Sequence, residues 1–311
     1  MATFYDYKKN VLAAEGGGTS NRSIKILCFG NSFTQDCFMY APFFLQNIAP
    51  NLDVTIGIAY KSGCKLSQHY DIFENNTAGY TFYKFTAGNN AWETLSIHTP
   101  SQIIKNDSWD IVTFQQASAE AHLSYDTYFA PYLPYLLDWI MDNTMKPVKF
   151  GWLLTHAKPT SSASAPLYGT DATYALIAAN AQKVLEKNPV EFVIPYGTGV
   201  QNARHTDINN VVCGGLTLTY DNTHLQEGIP CMVSGYTSAI SILNMASVTD
   251  RGILGETTLV NKAWLTEHQI KGMNPSNPTE TQVVGVTKEN ARLAQECAIF
   301  ANRYPFEIKI F

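Results

Sequence analysis

The chain alternates short apolar runs with longer amphipathic stretches. The first run, 24–29, is mostly apolar and ends at Gly30, which is typical of a buried strand. Similar runs predict four more strands, at 54–59, 111–114, 148–154 and 191–195. Apolar residues at helical spacing predict helices, at 35–48 (where Pro42 starts a new turn or kinks the helix), 128–141, 172–187 and 228–244. This alternation indicates a doubly wound α/β domain whose parallel strands are joined by right-handed crossovers.

Three regions fall outside the alternation. Residues 70–99 are rich in aromatic side chains and contain Gly88-Asn89-Asn90 between two strand-like pieces, which predicts a hairpin excursion. The C-terminal extension, about 250–311, contains helical patterns at about 258–271 and 287–302. The polar residues 1–23 form a lead-in, so we predict one domain over 24–311.

Composition narrows the possible functions. The 311 residues carry a net charge of −5, which gives no general attraction to nucleic acid or to anionic membranes. Charged residues make up only 15% of the chain and aromatic residues 12%, a balance that suits neutral, hydroxyl-rich ligands such as sugars. No stretch is apolar over the length that spans a bilayer. The first residues lack a signal-peptide pattern, and the compartment stays open between the cytoplasm and a trimmed secreted or periplasmic protein.

The six cysteines form no CxxC pair and have no spacing typical of metal ligands with histidine. We therefore expect mostly buried thiols, with a disulfide between some of them as the alternative.

The strongest local signal for chemistry is Gly30-Asn31-Ser32-Phe33, where the first strand meets the first helix. Ligands of open parallel sheets bind beyond the carboxyl ends of the strands. A serine at a helix N-terminus presents its hydroxyl beside free backbone N–H groups, which can stabilise an oxyanion. The alternative is that Ser32 only caps the helix.

A second signal, Asp221-Asn222-Thr223-His224, lies before the last of these helices. A serine nucleophile needs a base, and histidine fills that role at neutral pH. A carboxylate three residues earlier can fold back to orient the imidazole. The alternative is an Asx-type turn followed by a surface histidine.

Together these residues resemble the SGNH-hydrolase superfamily, the GDSL-like lipases and esterases. The resemblance runs in order over about 24–245, through Gly30-Asn31-Ser32, Gly63 after the second strand, a polar amide after the third, and Asp221 to His224. Three longer strings are similar to a bacterial branch of unassigned function: 30–36, 63–69 and 109–118. The resemblance implies a flavodoxin-like three-layer α/β/α fold with a mostly parallel five-stranded sheet.

The resemblance also implies a division of roles. Ser32 would be the nucleophile, His224 the general base and then acid, and Asp221 its orienting partner. The N–H groups of Ser32 and Gly63 would supply two oxyanion donors. The asparagine that usually supplies the third is absent, and Gln115 or Gln116 stands at the matching strand end.

Residues near other strand ends are candidates for contacts with substrate hydroxyls. These are Asn31, His69, His122, His156, Asn202 and Arg204. For the three histidines and for Asn202 and Arg204, the alternative is a structural or surface role. The histidines are too scattered for a zinc site, so no metal or cofactor is expected. The predicted function is serine-esterase hydrolysis of small acyl esters, acetyl above all, on a small molecule or an oligosaccharide. The alternatives are a lipase or thioesterase acting on longer chains, and a sugar-binding protein without turnover.

Overall fold

The computed structural model describes residues 22–89, 91–158, 170–209, 218–246, 283–284 and 286–310. Most of the predicted lead-in, the predicted helix at about 258–271 and Cys213 lie outside the described residues. The other five cysteines are buried free thiols, as expected.

The strands of the described chain are β1 (Arg22–Gly30), β2 (Leu52–Tyr60), β3 (Tyr80–Phe85), β4 (Glu93–His98), β5 (Ile111–Phe114), β6 (Lys149–Leu153), β7 (Val190–Ile194), β8 (Glu227–Gly228) and β9 (Val283–Val284). Five of them, β1, β2, β5, β6 and β7, match the predicted apolar runs to within about two residues, and the two short strands β8 and β9 were not predicted.

Helices occupy most of the connections between these strands. They are α1 (Ser32–Phe38), α2 (Ala41–Ile48), α3 (Leu66–Glu74), α4 (Pro100–Ile104), α5 (Tyr125–Tyr128), α6 (Leu133–Asn143), α7 (Thr170–Lys187), α8 (Tyr196–Arg204), α9 (Ile229–Met245) and α10 (Lys288–Arg303).

The central sheet has seven strands in the order β4-β3-β2-β1-β5-β6-β7. The five strands from β2 to β7 in that order are parallel, as predicted, and their arrangement is that of a flavodoxin-like fold. The predicted hairpin is present as β3 and β4, which pair antiparallel and extend the same sheet beyond β2. The chain changes winding direction at β1, so the carboxyl ends of β1 and β5 form the topological switch point where such folds bind ligands.

Successive side chains of β1 enter opposite cores because a strand has a period of two. Ile24, Ile26 and Cys28 belong to one buried cluster, with residues of α1, α2, α8, α9 and α10. Leu27 and Phe29 belong to the other, with residues of α3 to α7. The helices therefore cover both faces of the sheet, which completes the predicted three layers.

Two predicted boundaries were wrong. The helix expected at 35–48 is two helices, α1 and α2, and Pro42 stands in the first turn of α2, where a proline is tolerated. The excursion expected to begin at residue 70 begins at Tyr80, because the residues up to Glu74 complete α3.

The helix α9 is almost wholly buried and packs on α1, α2, α8 and α10. A helix that is apolar all round belongs in a protein core or a membrane. No helix in the described part of the chain has both the length and the hydropathy to cross a bilayer.

The core around α3 contains a histidine whose protonation opposes folding. His69 is fully buried, and its Nδ1 lies 2.6 Å from the Tyr80 hydroxyl. Burial lowers the pKa of His69 from 6.5 to about 3, so the folded protein keeps this imidazole neutral. Between these two values the unfolded chain binds one more proton than the native state, so this residue makes stability fall as the pH falls.

We expect His69→Gln to make the protein less sensitive to acid. The glutamine does not titrate, so the slope of the free energy of unfolding against pH between 4 and 6 should decrease by about 1.4 kcal/mol per pH unit. Urea denaturation at several pH values measures the slope. Tyr80→Phe is the control, since it removes the partner and keeps the histidine; it should lower stability and keep the wild-type slope. An unchanged slope in His69→Gln would contradict the neutral buried state.

Candidate functional site

The turn after β1 places Ser32 at the first position of α1. Asn31 caps this helix, since its backbone is extended and its side-chain oxygen accepts the Phe33 N–H at 3.0 Å. Ser32 does not serve as the cap, and its hydroxyl is left for other contacts. The side-chain N–H of Asn31 donates to the Cys64 carbonyl at 3.2 Å, which ties this turn to the loop after β2.

The Asp221–His224 segment forms a tight turn closed by an antiparallel bridge between Thr219 and Leu225. One oxygen of Asp221, Oδ1, accepts the N–H groups of Thr223 at 2.9 Å and His224 at 2.7 Å, which is an Asx-type turn. The other oxygen, Oδ2, lies 2.6 Å from His224 Nδ1. The segment is therefore both an Asx-type turn and a carboxylate–imidazole pair, because the same carboxylate accepts the backbone N–H groups and contacts the ring.

His224 Nε2 lies 2.7 Å from Ser32 Oγ, although the two residues are 192 positions apart. Partial burial tends to raise the pKa of Asp221, but hydrogen bonds from His224 and the nearby imidazole outweigh it and lower the pKa below its ordinary value. Asp221 is thus ionised at neutral pH beside Nδ1. A carboxylate, an imidazole and a hydroxyl in this order form a chain that can move a proton away from the hydroxyl.

The loop after β2 lies beside the Ser32 turn. The Lys61 N–H donates to the Gly30 carbonyl at 3.0 Å, which continues the pairing of β1 with β2. Gly63 follows with φ +59°, a left-handed conformation that glycine adopts without a steric penalty, and the space where a side chain would start is open. Its N–H group is therefore on an accessible backbone at the same sheet edge as Ser32.

Gln115 and Gln116 follow β5 and differ in their hydrogen bonds. The Gln116 oxygen accepts the N–H groups of Leu66 and Ala117, and its amide N–H donates to the Tyr128 carbonyl. Gln115 accepts the Thr34 hydroxyl at 2.6 Å, and its buried Nε2 has no hydrogen-bond partner among the described residues. Gln116 is thus fully engaged in the fold, whereas Gln115 retains a donor.

Gly30 makes room for this amide. A methyl group on Gly30 would lie 2.0 Å from Thr34 Oγ1 and 3.1 Å from Gln115 Cδ, so the Thr34–Gln115 pair packs directly against the glycine. Glycine at position 30 thereby allows Gln115 to lie against the turn that carries Ser32.

Aromatic side chains surround His224. The ring of Phe33 meets the imidazole edge-on at 6.3 Å and stacks on buried His156 at 4.2 Å. Tyr220 is 59% exposed and lies nearly parallel to the imidazole at 5.9 Å. Burial lowers the pKa of His156 well below its ordinary value, with a further contribution from the Arg204 guanidinium. His156 therefore stays neutral, and it contributes to the packing of Phe33.

Several predicted substrate contacts lie elsewhere. His69 is fully buried beyond β2, where its Nδ1 pairs with the Tyr80 hydroxyl and its ring stacks on that of Tyr80. Asn202 is buried too; it donates to the Cys297 carbonyl and accepts the Lys309 N–H, so it fastens the C-terminal extension to α8. Arg204 donates to the carbonyl of Ala157 and lies within reach of His156 Nδ1. His122 is half-buried beyond β5.

Sequence reasoning missed Thr34 and Asp36, although both lie in the string 30–36 that carries the resemblance. Thr34 orients Gln115, and Asp36 is a buried carboxyl whose Oδ2 accepts the Leu225 N–H at 3.1 Å. The four-residue spacing between Ser32 and Asp36 was an available signal, because residues four apart share a helix face.

Structural comparison finds relatives of this fold. A DUF4886 family protein from Bacteroides uniformis has a TM-score of 0.72 and 22% identity, and the alignment covers 93% of this chain and 98% of that one. A protein from Slackia heliotrinireducens named a putative SGNH hydrolase has a TM-score of 0.45 and 13% identity, over 71% of this chain and 99% of that one. A Bacteroides fragilis protein named a putative acylhydrolase has a TM-score of 0.40 and 14% identity, over 79% of this chain and 96% of that one.

Sequence comparison gives the family. No curated protein matches the sequence. The family model described as a domain of unknown function, DUF4886, matches residues 25–240, which include Ser32, Asp221 and His224. This match covers well over half of the chain, and the protein belongs to the DUF4886 family.

Proposed function

We propose that this protein is a serine esterase that hydrolyses small acyl esters through an acyl-enzyme. The observation that carries the proposal is the hydrogen-bonded chain from Asp221 through His224 to Ser32, with 2.6 Å and 2.7 Å between successive atoms. Such spacing is what a base needs to take the proton of a hydroxyl nucleophile. The likeness to SGNH hydrolases noted in the sequence agrees with this role.

The reaction follows from these contacts. Ser32 Oγ attacks the ester carbonyl while His224 Nε2 takes its proton, and Asp221 stabilises the imidazolium that forms. The tetrahedral intermediate collapses as His224 returns the proton to the leaving alcohol, which leaves the acyl group on Ser32. Water then attacks the acyl carbonyl with His224 as base, and the acid departs when Ser32 Oγ regains its proton.

Three donors are available for the oxyanion. The N–H groups of Ser32 and Gly63 are two of them, since neither is used within the described hydrogen-bond network of helix or sheet. We assign the third to Gln115 and not to Gln116, because Gln115 Nε2 is buried without a partner at the switch point of the sheet. An unpaired buried donor costs stability, and an oxyanion would satisfy it only during the reaction.

The substrate class that we propose is a carbohydrate carrying O-acetyl groups. Tyr220 supports this, because its ring is exposed beside His224 and aromatic rings pack against the apolar faces of sugars. The low content of charged residues, 15%, agrees with a neutral substrate. Asn31 is kept as a structural cap in this proposal and not as a substrate contact.

We expect Ser32→Ala to lower kcat for p-nitrophenyl acetate by at least about 10³-fold, because no other group then forms the acyl-enzyme. A fluorophosphonate should label the wild-type protein at Ser32 and leave the variant unlabelled. Ser108→Ala is the matched control and should keep wild-type activity. Ser108 lies just before β5, at the amino end of the strand, whereas the site lies at the carboxyl ends.

The same assay separates the alternatives. Activity that declines from acetate to butyrate to octanoate supports a small acyl group, whereas the reverse order indicates a lipase or thioesterase. Release of acetate from an O-acetylated xylo-oligosaccharide tests the carbohydrate directly. A wild-type protein with no turnover and no label at Ser32 would leave the sugar-binding alternative.

We also expect Gln115→Met to lower kcat by about 10²–10³-fold, equivalent to about 2.7–4 kcal/mol of transition-state stabilisation, with a small change in KM. Thr34→Val keeps the amide but removes the hydroxyl that orients it, so its loss should be smaller. Steady-state kinetics with p-nitrophenyl acetate measures both. Wild-type kcat in folded Gln115→Met would remove Gln115 from the oxyanion hole.

A further inference from the structure

Three polar residues on one face of the serine-bearing segment contact the segment that carries His224. Ser32, Asp36 and Tyr40 are spaced by four residues, so they line one side of α1 and of the turn into α2. Their partners follow in order along 224–228. We refer to these as the three paired contacts.

The three paired contacts are hydrogen bonds between side chains or between a side chain and the backbone. The first is the contact between Ser32 Oγ and His224 Nε2 at 2.7 Å. In the second, the Leu225 N–H donates to Asp36 Oδ2 at 3.1 Å. In the third, the Tyr40 hydroxyl donates to the Glu227 carboxylate and accepts the Gly228 N–H at 3.4 Å.

Of the two contacts that contain no reacting atom, the second is the closer to His224. Leu225 directly follows His224, so a bond to its N–H fixes the backbone from which the imidazole projects. Asp36 is only 6% exposed, and an acceptor at that depth is not exchanged for water. Its own backbone is held from the other side, because the Ser234 hydroxyl of α9 donates to the Asp36 carbonyl.

The groups around Asp36 shift the pKa of its carboxyl in opposite directions. Burial raises the pKa of the Asp36 carboxyl to about 7, and Glu227 and Asp221 act in the same direction. His224 and the Leu225 N–H oppose that shift. A buried carboxyl that costs stability in its ionised form needs a compensating role.

We propose that Asp36 is a positioning residue that holds His224 within hydrogen-bonding reach of Ser32. It does not touch the reacting atoms, and we assign its positioning effect to the bond with the Leu225 N–H, apart from its charge near His224. The inference rests on the proposed esterase function, since it concerns the alignment of that base with that nucleophile. Small displacements of a catalytic group reduce the rate steeply, whereas they leave substrate binding largely intact.

Two substitutions of Asp36 test this. Asp36→Ala removes the acceptor, and kcat for p-nitrophenyl acetate should fall about 100-fold while KM stays within about twofold. Asp36→Asn retains an oxygen that can accept the Leu225 N–H, so its kcat should fall only about tenfold. Labelling of Ser32 by a fluorophosphonate should slow in the same order.

Ser238→Ala is the matched control. The buried Ser238 hydroxyl donates to the Cys37 carbonyl at 2.6 Å, so it also ties α1 to the body of the protein but does not touch the His224 segment. It should lower the Tm and leave kcat within about twofold of wild type.

The outcomes are distinct. A kcat loss in Asp36→Ala no larger than in Ser238→Ala, or equal losses in Asp36→Ala and Asp36→Asn, would overturn the positioning role. If Asp36→Ala does not fold, Asp36→Asn and Ser238→Ala decide at comparable Tm: a larger kcat loss in Asp36→Asn supports the role, and an equal one overturns it. A wild-type protein without esterase activity or labelling overturns the proposed function and the positioning role together. The variant results alone overturn only the positioning role.

Discussion

The packing that brings Ser32 Oγ to His224 Nε2 is the constraint on which the site depends, because the two residues are 192 positions apart. Neither residue can hold the other in place, since one hydrogen bond contributes only about 0.5–1.5 kcal/mol net. The contact exists because two larger bodies are packed together: the β1–α1 turn and the turn before α9. Helix α9 supplies much of that packing, and its Ser234 hydroxyl donates to the Asp36 carbonyl of α1.

The order of the strands brings the remaining groups to the same place. β1 lies between β2 and β5, so the residues that follow these three strands meet at one edge of the sheet. Ser32 follows β1, Gly63 follows β2 and Gln115 follows β5. The hairpin β3–β4 pairs beyond β2 and so widens the sheet on the side away from β5.

The local parts of this arrangement could be predicted from the sequence, because each depends on neighbours in the chain. The apolar run 24–29 ending at Gly30 gave the strand and the turn, and the Asp221–His224 spacing gave a carboxylate that folds back on an imidazole. The difference in hydrogen bonding between Gln115 and Gln116 could not be predicted. Both follow the same strand, and they differ only in partners such as Thr34 and Leu66, which lie 81 and 50 positions away.

The burial of His69 and Asn202 could not be predicted from the sequence either. His69 and Asn202 stand near strand ends, as ligand-binding residues do, yet Asn202 is covered by a segment about 100 positions later. His69 is closed off by Tyr80 on the adjoining hairpin. A pattern of residue types reports which edge a side chain is near and not which later element packs over it, so such residues are separated from the site only by tertiary structure.

The Asp221 carboxylate has a consequence for motion. Two hydrogen bonds join Asp221 to the backbone and the ring of His224, whereas one joins His224 to Ser32. If this turn moved away from α1, the Asp221 carboxylate and the His224 imidazole would move together. The bond between Asp221 Oδ2 and His224 Nδ1 would keep the tautomer and the orientation of the ring unchanged during such a movement.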